Sequence, residues 1–86
     1  MYVVYVLQSL KDKRFYTGFT NNLERRIEEH NNGQVAATSY RKPFTLIYYE
    51  CCLNEKDAIS REKYLKSGMG KRYLKSRLRN FLYSNK

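Results

Sequence analysis

The sequence has no apolar stretch of membrane-spanning length, so no membrane-spanning segment is expected. Its two cysteines, Cys51 and Cys52, are adjacent, a spacing that suits neither a zinc ligand pair nor an easy intrachain disulfide, and both are expected in a strand. The apolar run at residues 2–7 is too short for a secretory signal and lacks a basic start. These absences favour a protein of the reducing cytoplasm.

Acidic residues are scarce in this chain. It has 8 Asp and Glu against 17 Lys and Arg, which gives a formal net charge of +9. From Arg61 onward, nine basic residues accompany one acid, Glu62, and tyrosines are interleaved among them. Such a surface suits phosphates and bases, although lysines and arginines also solvate exposed helix faces. We expect a nucleic-acid partner.

The chain shows no linker, repeat or low-complexity tract, and its 86 residues predict a single domain over 1–86. The pattern predicts an α+β fold (an α/β sandwich) in which a small, mainly antiparallel three-stranded sheet is flanked by about three helices. The predicted order is β-β-α-β-α-α, with strands at 2–7, 15–19 and 44–52. Helices are expected from about residue 23 to 30 and from 54 to 67, where Gly68-Met69-Gly70 breaks the pattern, and the final helix presents Leu74, Leu78, Phe81 and Leu82 on one face.

The first predicted helix carries polar groups on its inward stripe. Leu23, Arg26, Ile27 and His30 stand at i, i+3, i+4 and i+7, so they share one face. Burying an unpaired guanidinium costs several kcal/mol in rough terms. Arg26 therefore needs a carboxylate, a bound anion or a cleft.

The second predicted helix carries an inward acid. Ala58, Glu62 and Leu65 fall at i, i+4 and i+7, which places the only acid of the basic half on the buried stripe. A buried carboxylate must be compensated. Either a divalent metal ion or a salt bridge to Arg26 or a lysine would do so.

Several motifs in order resemble the GIY-YIG nuclease domain. Val3-Val4-Tyr5 stands where that family has its first signature, Tyr16-Thr17-Gly18 stands at the second, and Arg26 follows at the family's distance. The phrase at residues 60–66 resembles the segment with the family's metal-binding glutamate, so the resemblance covers nearly the whole chain. The first signature keeps only its tyrosine, and Thr17 replaces the usual isoleucine or valine.

The resemblance implies an endonuclease that hydrolyses DNA phosphodiester bonds by in-line attack. Tyr5 or Tyr16 would assist deprotonation of the attacking water, which requires the phenol pKa to be lowered by Arg26, the metal and the backbone. Arg26 would offset charge on the phosphorane, and His30 would orient a tyrosine or donate to phosphate. Glu62 would hold Mg²⁺ or Mn²⁺ with mostly water ligands.

Further residues are expected to contact the substrate, which we expect to be branched or damaged DNA in repair or recombination. The family's late asparagine matches either Asn80 or Ser76. The predicted substrate-binding residues are Gly18, Thr20, Asn22, Lys66, Lys71, Arg72 and Asn80.

Two other function classes fit parts of the pattern. One is a non-catalytic nucleic-acid-binding module of the same fold. The other is a small basic protein-interaction or ribosome-associated factor, which leaves the inward Arg26, His30 and Glu62 without purpose. In either active or inactive form, we expect a monomer or weak dimer, with a partner protein supplying substrate specificity.

Overall fold

The β-branched and aromatic run at the start of the chain forms the central strand of a three-stranded antiparallel sheet. A computed structural model describes residues 1–84. The α+β fold is confirmed, with one helix more than predicted. Its elements are β1 (Tyr2–Ser9), β2 (Phe15–Thr20), α1 (Leu23–Asn31), a 3₁₀ helix (Ser39–Arg41), β3 (Phe44–Cys52), α2 (Glu55–Lys66), α3 (Gly68–Arg77) and α4 (Arg79–Ser84).

The sheet has the order β2-β1-β3, and helices cover both of its faces. Because successive side chains of a strand point to opposite faces, β1 divides its apolar residues between two clusters. Val4 and Val6 pack with residues of α2 and α3. Tyr5 and Leu7 pack with residues of α1 and with Phe44. The central strand is therefore buried on both sides.

The predicted limits of α1 are confirmed by its caps. The Asn22 side chain accepts a hydrogen bond from the Arg25 N–H at 3.1 Å, which satisfies one free donor of the first turn. At the other end, Asn32 is the C-cap, and Gly33 follows with φ +76°. Asn31 pairs its side-chain amide with the Phe44 backbone, accepting at 2.7 Å and donating at 3.2 Å. This pair attaches the end of α1 to β3.

The junction of α2 and α3 differs from the prediction. Gly68-Met69-Gly70 does not separate the helices, because only Ser67 lies between them and the two glycines belong to the first turn of α3. The Ser67 hydroxyl accepts from the Gly70 N–H at 3.1 Å and donates to the Tyr64 carbonyl at 2.6 Å. A Cβ at Gly70 would overlap the Tyr64 carbonyl oxygen and the Leu65 Cα. Glycine therefore permits close packing of the two backbones.

The single final helix that was predicted is two helices. Leu78 ends α3 with φ −104° and ψ 20°, outside the helical region, and α4 starts at the next residue. Leu74 is buried, and Leu78 and Leu82 are half-buried, as their place on an apolar face requires. Phe81 is 38% exposed, because the turn at Leu78 rotates the following residues away from the predicted face.

A stacked arginine holds α2 and α3 against β3. Arg61 donates two hydrogen bonds to the Glu50 carboxylate, at 2.8 and 3.0 Å. Its guanidinium carbon lies 4.9 Å from the ring centroids of both Tyr64 and Tyr73. The Tyr48 hydroxyl donates to the same carboxylate at 2.7 Å. The cluster connects one residue of α2 to both neighbouring elements.

Two exclusions drawn from the sequence can be compared with the fold. Cys51 and Cys52 lie in β3, as predicted, and both are free thiols. Across residues 1–84, every helix is too short or too polar to span a bilayer.

Two alanine substitutions in the first turn of α3 test the packing at Gly70. Gly70→Ala should lower the free energy of unfolding by about 1–3 kcal/mol or more, because the new methyl group has no space. Gly68→Ala is the matched control, since no atom lies within 4 Å of its Cβ position. Its helix propensity should leave stability unchanged or raise it by up to about 1 kcal/mol. Equal urea midpoints for the two variants would contradict the close packing.

Candidate active site

The phenol of Tyr5 lies across the glycine of the neighbouring edge strand. Tyr5 pairs with Gly18 in the β1–β2 register, and a Cβ at Gly18 would lie 2.6 Å from the Tyr5 hydroxyl oxygen. Gly18 was predicted to let the backbone approach substrate. The structure shows a different reason for glycine at this position, because any larger residue would displace the Tyr5 ring.

A chain of hydrogen bonds runs inward from Tyr5. Its hydroxyl lies 2.9 Å from Nε2 of His30, and Nδ1 of His30 lies 2.8 Å from the Thr38 hydroxyl. The Thr38 hydroxyl lies 3.4 Å from the Val35 carbonyl oxygen. Tyr5, His30 and Thr38 are all buried. The sequence analysis missed Thr38, because nothing distinguishes it from the other polar residues of its loop.

The inner end of this chain sets the direction of its hydrogen bonds. A carbonyl can only accept, so the Thr38 hydroxyl donates to Val35 and its oxygen accepts from Nδ1–H of His30. Nε2 of His30 is then left as an acceptor, so the Tyr5 proton points to it. The charge of Arg26 acts on the same Tyr5 hydroxyl.

The pKa values correct one expectation. Burial raises the pKa of Tyr5 above its usual value, and this exceeds the lowering caused by Arg26. Arg26 thus acts in the direction that the sequence analysis required of Arg26, the metal and the backbone together, but the desolvation of the buried phenol outweighs it. Burial also lowers the pKa of His30, and the Arg26 charge acts in the same direction. His30 is therefore neutral at pH 7.

Arg26 has two of the features that its inward position was predicted to require. Its guanidinium forms an ion pair with Glu29 at 2.9 Å, and its side chain is 36% exposed. It also lines a cleft of about 390 Å³, which we call the Arg26 cleft, together with Thr20 and Arg25. The pKa of Arg26 is raised by Glu29 first and Tyr5 second, so this group stays charged.

Tyr16 joins the same aromatic cluster from β2. Its ring lies edge-on to His30 with 5.0 Å between centroids, and Phe44 packs on the same imidazole at 5.9 Å. Tyr16 is half-buried and lines a second cleft of about 200 Å³, which we call the Tyr16 cleft. Lys66 and Lys71 line this cleft too, so the structure brings two predicted substrate-binding residues beside Tyr16.

Glu62 approaches from the helix layer on the other face of the sheet. Its side chain is 18% exposed and pairs with Lys66 at 3.1 Å, which is the salt bridge to a lysine that the sequence left as an alternative. Its charge also acts on the Tyr5 hydroxyl. No group of three or more His, Cys, Asp and Glu side chains in residues 1–84 is arranged to hold a metal ion. One carboxylate fits a divalent ion that keeps most of its water and also binds substrate phosphate, and that ion would compete with Lys66.

The other predicted substrate-binding residues lie apart from this cluster or have a structural role. The Thr20 hydroxyl accepts from the Asn22 N–H at 3.1 Å, and the Asn22 side chain caps α1. Arg72 and Asn80 are exposed on α3 and α4, and so is Ser76. None of these last three lines the Arg26 cleft or the Tyr16 cleft.

Comparisons with known proteins agree with the fold and with the motifs. A family profile described as the GIY-YIG catalytic domain matches residues 1–81. A UPF0213 protein of Clostridium perfringens is 51% identical over 67 residues, covering 77% of this chain and 71% of the relative. A UPF0213 protein of Haloquadratum walsbyi is 42% identical over 65 residues, covering 74% and 72%. The solution NMR structure of a UPF0213 protein from Bacillus halodurans matches with TM-score 0.54 and 34% identity, covering 88% of this chain and 84% of that one.

The buried imidazole predicts a pH dependence of stability. His30 is the only histidine, and its pKa is lower in the folded chain than its usual value of about 6.5. The unfolded state therefore binds a proton first on acidification, so the free energy of unfolding should fall as pH drops below about 6.5. Urea unfolding at pH 7.5 and 5.5 measures this difference. His30→Gln should reduce it, and an unchanged difference would assign it to other groups.

The direction of the hydrogen-bond chain predicts a histidine tautomer. Long-range ¹H–¹⁵N NMR should show His30 protonated at Nδ1, with Nε2 unprotonated. Thr38→Val keeps the shape but removes the acceptor, so it should shift the ring toward the Nε2–H form and lower stability by about 1–3 kcal/mol. Thr38→Ser should retain the wild-type tautomer. An Nε2–H form in the unmodified protein would contradict the inferred direction.

Proposed function

Because the chain belongs to the GIY-YIG family of nucleases, we propose that it is a metal-dependent endonuclease that hydrolyses DNA phosphodiester bonds. The observation that carries this proposal is the hydrogen-bond chain from Tyr5 through His30 to Thr38. The charge of Arg26 acts on Tyr5 and on His30, so the site combines a fixed positive charge with a neutral imidazole that has an accepting nitrogen. Those are the parts needed to hold a phosphate and to remove a proton.

In the proposed mechanism, Tyr5 relays a proton and never persists as a phenolate. The attacking water gives its proton to the Tyr5 oxygen while the Tyr5 proton moves to Nε2 of His30. The raised pKa of Tyr5 suits this role, because a phenol that resists ionisation passes a proton on. His30 becomes an imidazolium whose Nδ1–H still donates to Thr38.

Arg26 is proposed to stabilise the charge that develops on the phosphate. It stays protonated, its charge acts on the Tyr5 hydroxyl, and its side chain lines the Arg26 cleft, which is open to substrate. Glu29 already pairs with it, so phosphate would share or replace this partner. Charge-assisted hydrogen bonds to phosphate are strong, which makes such an exchange favourable.

Glu62 is proposed to hold the divalent ion, with Mg²⁺ or Mn²⁺ supplying Lewis-acid stabilisation of the leaving oxygen when bound. Tyr16 would contact the water or the phosphate through its hydroxyl, since it is the more exposed of the two tyrosines. Lys66 and Lys71 line the same cleft and would neutralise neighbouring phosphates. Because Lys66 pairs with the Glu62 carboxylate, a bound ion would compete with it and would leave Lys66 available for this contact.

The biological setting is also a proposal. We propose branched or damaged DNA as substrate in cytoplasmic repair or recombination, with RNA as the alternative. A partner protein would supply further specificity. The Glu62–Lys66 pair favours one competing function, a binding module without catalysis, because it neutralises the carboxylate with no metal needed.

Cleavage of labelled duplex, flap, splayed and four-way DNA with Mg²⁺ or Mn²⁺ tests the nuclease. Glu62→Gln and Arg26→Ala should each reduce the rate by about 10²-fold or more, as removal of a transition-state stabiliser does. DNA binding should change little with Glu62→Gln, because the Glu62 carboxylate is not expected to contact phosphate directly.

Two exposed residues outside the Arg26 and Tyr16 clefts provide the controls. Asp57→Asn on α2 and Arg77→Ala on α3 change the same charges away from Tyr5 and should retain most of the activity. If no substrate is cut by the unmodified protein while DNA still binds, the binding module replaces the nuclease. Full activity of Glu62→Gln would remove Glu62 from the mechanism.

A further inference from the structure

We propose that a basic groove beside the Tyr16 cleft binds a single-stranded segment of the nucleic acid next to the cleavage site. The groove has a volume of about 610 Å³ and lies between the β1–β2 turn and helices α3 and α4. The inference rests on the proposed function for the identity of the polyanion and adds the substrate class. Its cationic residues are Lys13, Arg14, Lys71, Lys75 and Arg79.

Within residues 1–84, the five cations of the basic groove have no carboxylate that would neutralise them. None of the described residues that line the groove is acidic. The ion pairs found in residues 1–84 are those of Arg26, Arg41, Arg61 and Lys66, so none of the five has a carboxylate partner there. Like charges gathered in one concavity repel each other and attract a polyanion, with release of its counterions. The charge alone therefore selects a chain of phosphates over a neutral ligand.

The turn that carries two of the cations is held in place. Lys13 adopts φ +64°, a left-handed conformation that non-glycine residues seldom adopt. Its carbonyl accepts from the Gln8 side chain at 3.1 Å, and the Arg14 carbonyl accepts from the Ser9 N–H at 3.0 Å. Asp12, which directly precedes Lys13, forms an ion pair with Arg41 at 2.9 Å. Lys13 and Arg14 are thus positioned before any ligand arrives.

The apolar part of the groove wall distinguishes a single strand from a duplex. Phe15, Leu82 and Tyr83 line the groove between the cations. Aromatic side chains bind unpaired bases by stacking, whereas the bases of a duplex are already stacked on each other. A duplex would use the cations and leave the aromatic wall without a role. The combination favours an unpaired strand.

The groove leads to the proposed catalytic centre. It shares Phe15 and Lys71 with the Tyr16 cleft, which continues to Tyr16 and Lys66. A strand that lies in the groove could therefore continue past Phe15 and Lys71 into the cleft that Tyr16 lines. This continuity makes DNA with a single-stranded arm at the cut, such as a flap or a splayed end, the substrate class that fits.

Binding without metal tests the groove independently of cleavage. In EDTA, fluorescence anisotropy compares a splayed-arm DNA with a blunt duplex of the same sequence over a range of salt concentrations. The unmodified protein should bind the splayed-arm DNA more tightly. Lys75→Ala with Arg79→Ala should weaken that binding at least about tenfold and reduce the salt slope by about 1.4, since each single-strand phosphate contact contributes about 0.7.

A charge-matched variant and a stacking variant complete the design. Lys63→Ala with Arg77→Ala removes two exposed charges outside the groove and should preserve the preference for the splayed arm. Tyr83 is exposed, so Tyr83→Ala should fold normally and weaken only the splayed-arm complex, by about fivefold or more. Unfolding midpoints of all variants confirm that the fold is intact.

The outcomes separate this proposal from the nuclease. Equal losses for both DNAs in Lys75→Ala with Arg79→Ala would make the groove a general phosphate surface and overturn the single-strand assignment. Unchanged affinities would exclude the groove from binding. If the splayed-arm preference depends on the groove but no metal supports cleavage, the groove stands and the nuclease proposal fails.

Discussion

The buried hydroxyl of Tyr5 is the constraint on which the rest of the site depends. A polar group in the centre of a small core costs several kcal/mol in rough terms unless it is hydrogen-bonded, so the fold must bring a partner to it. His30 is that partner, and its second nitrogen creates the same demand one step further in, which Thr38 satisfies. Gly18 provides the space that lets the phenol lie flat across β2. One unavoidable polar atom thus explains why a helix, a loop and a strand converge.

The helices that carry the functional residues are attached to the sheet next to those residues. Asn31 pairs with the backbone of β3 and directly follows His30. Arg61 forms a two-bond ion pair with a carboxylate of β3 and directly precedes Glu62. Directional polar contacts fix the rotation of a helix about its axis as well as its distance from the sheet, and apolar packing fixes the rotation less strictly. The orientation of His30 and Glu62 is therefore set by neighbours that take no part in the proposed chemistry.

Features that depend on interactions between residues near in sequence could be predicted, whereas features that depend on contacts between distant residues could not. Strand alternation and helix periodicity depend on local geometry, so the order of elements and the inward position of His30 were predictable. Thr38 was not, because its approach to His30 depends on a 3₁₀ turn held by a distant bond from Ser9 to the Arg41 carbonyl. The raised pKa of Tyr5 was not predictable either, since burial depends on the assembled core. The prediction that Gly68-Met69-Gly70 separates the helices was wrong for a similar reason, because Gly70 permits close packing between α2 and α3.

The charged residues proposed for catalysis are paired with opposite charges in the free protein, whereas the cations of the basic groove are not paired within residues 1–84. Arg26 and Glu62 each have a partner of opposite charge in the free protein, so substrate or metal must displace or share that partner. Interactions that first require such an exchange add little to ground-state affinity and gain strength where charge develops, which is the requirement for catalysis. The cations of the basic groove have no such partner in the part of the chain that the structure describes, so a polyanion could contact them without displacing one. In the proposed function, one surface of the domain therefore binds the substrate, and the paired charges act in the reaction.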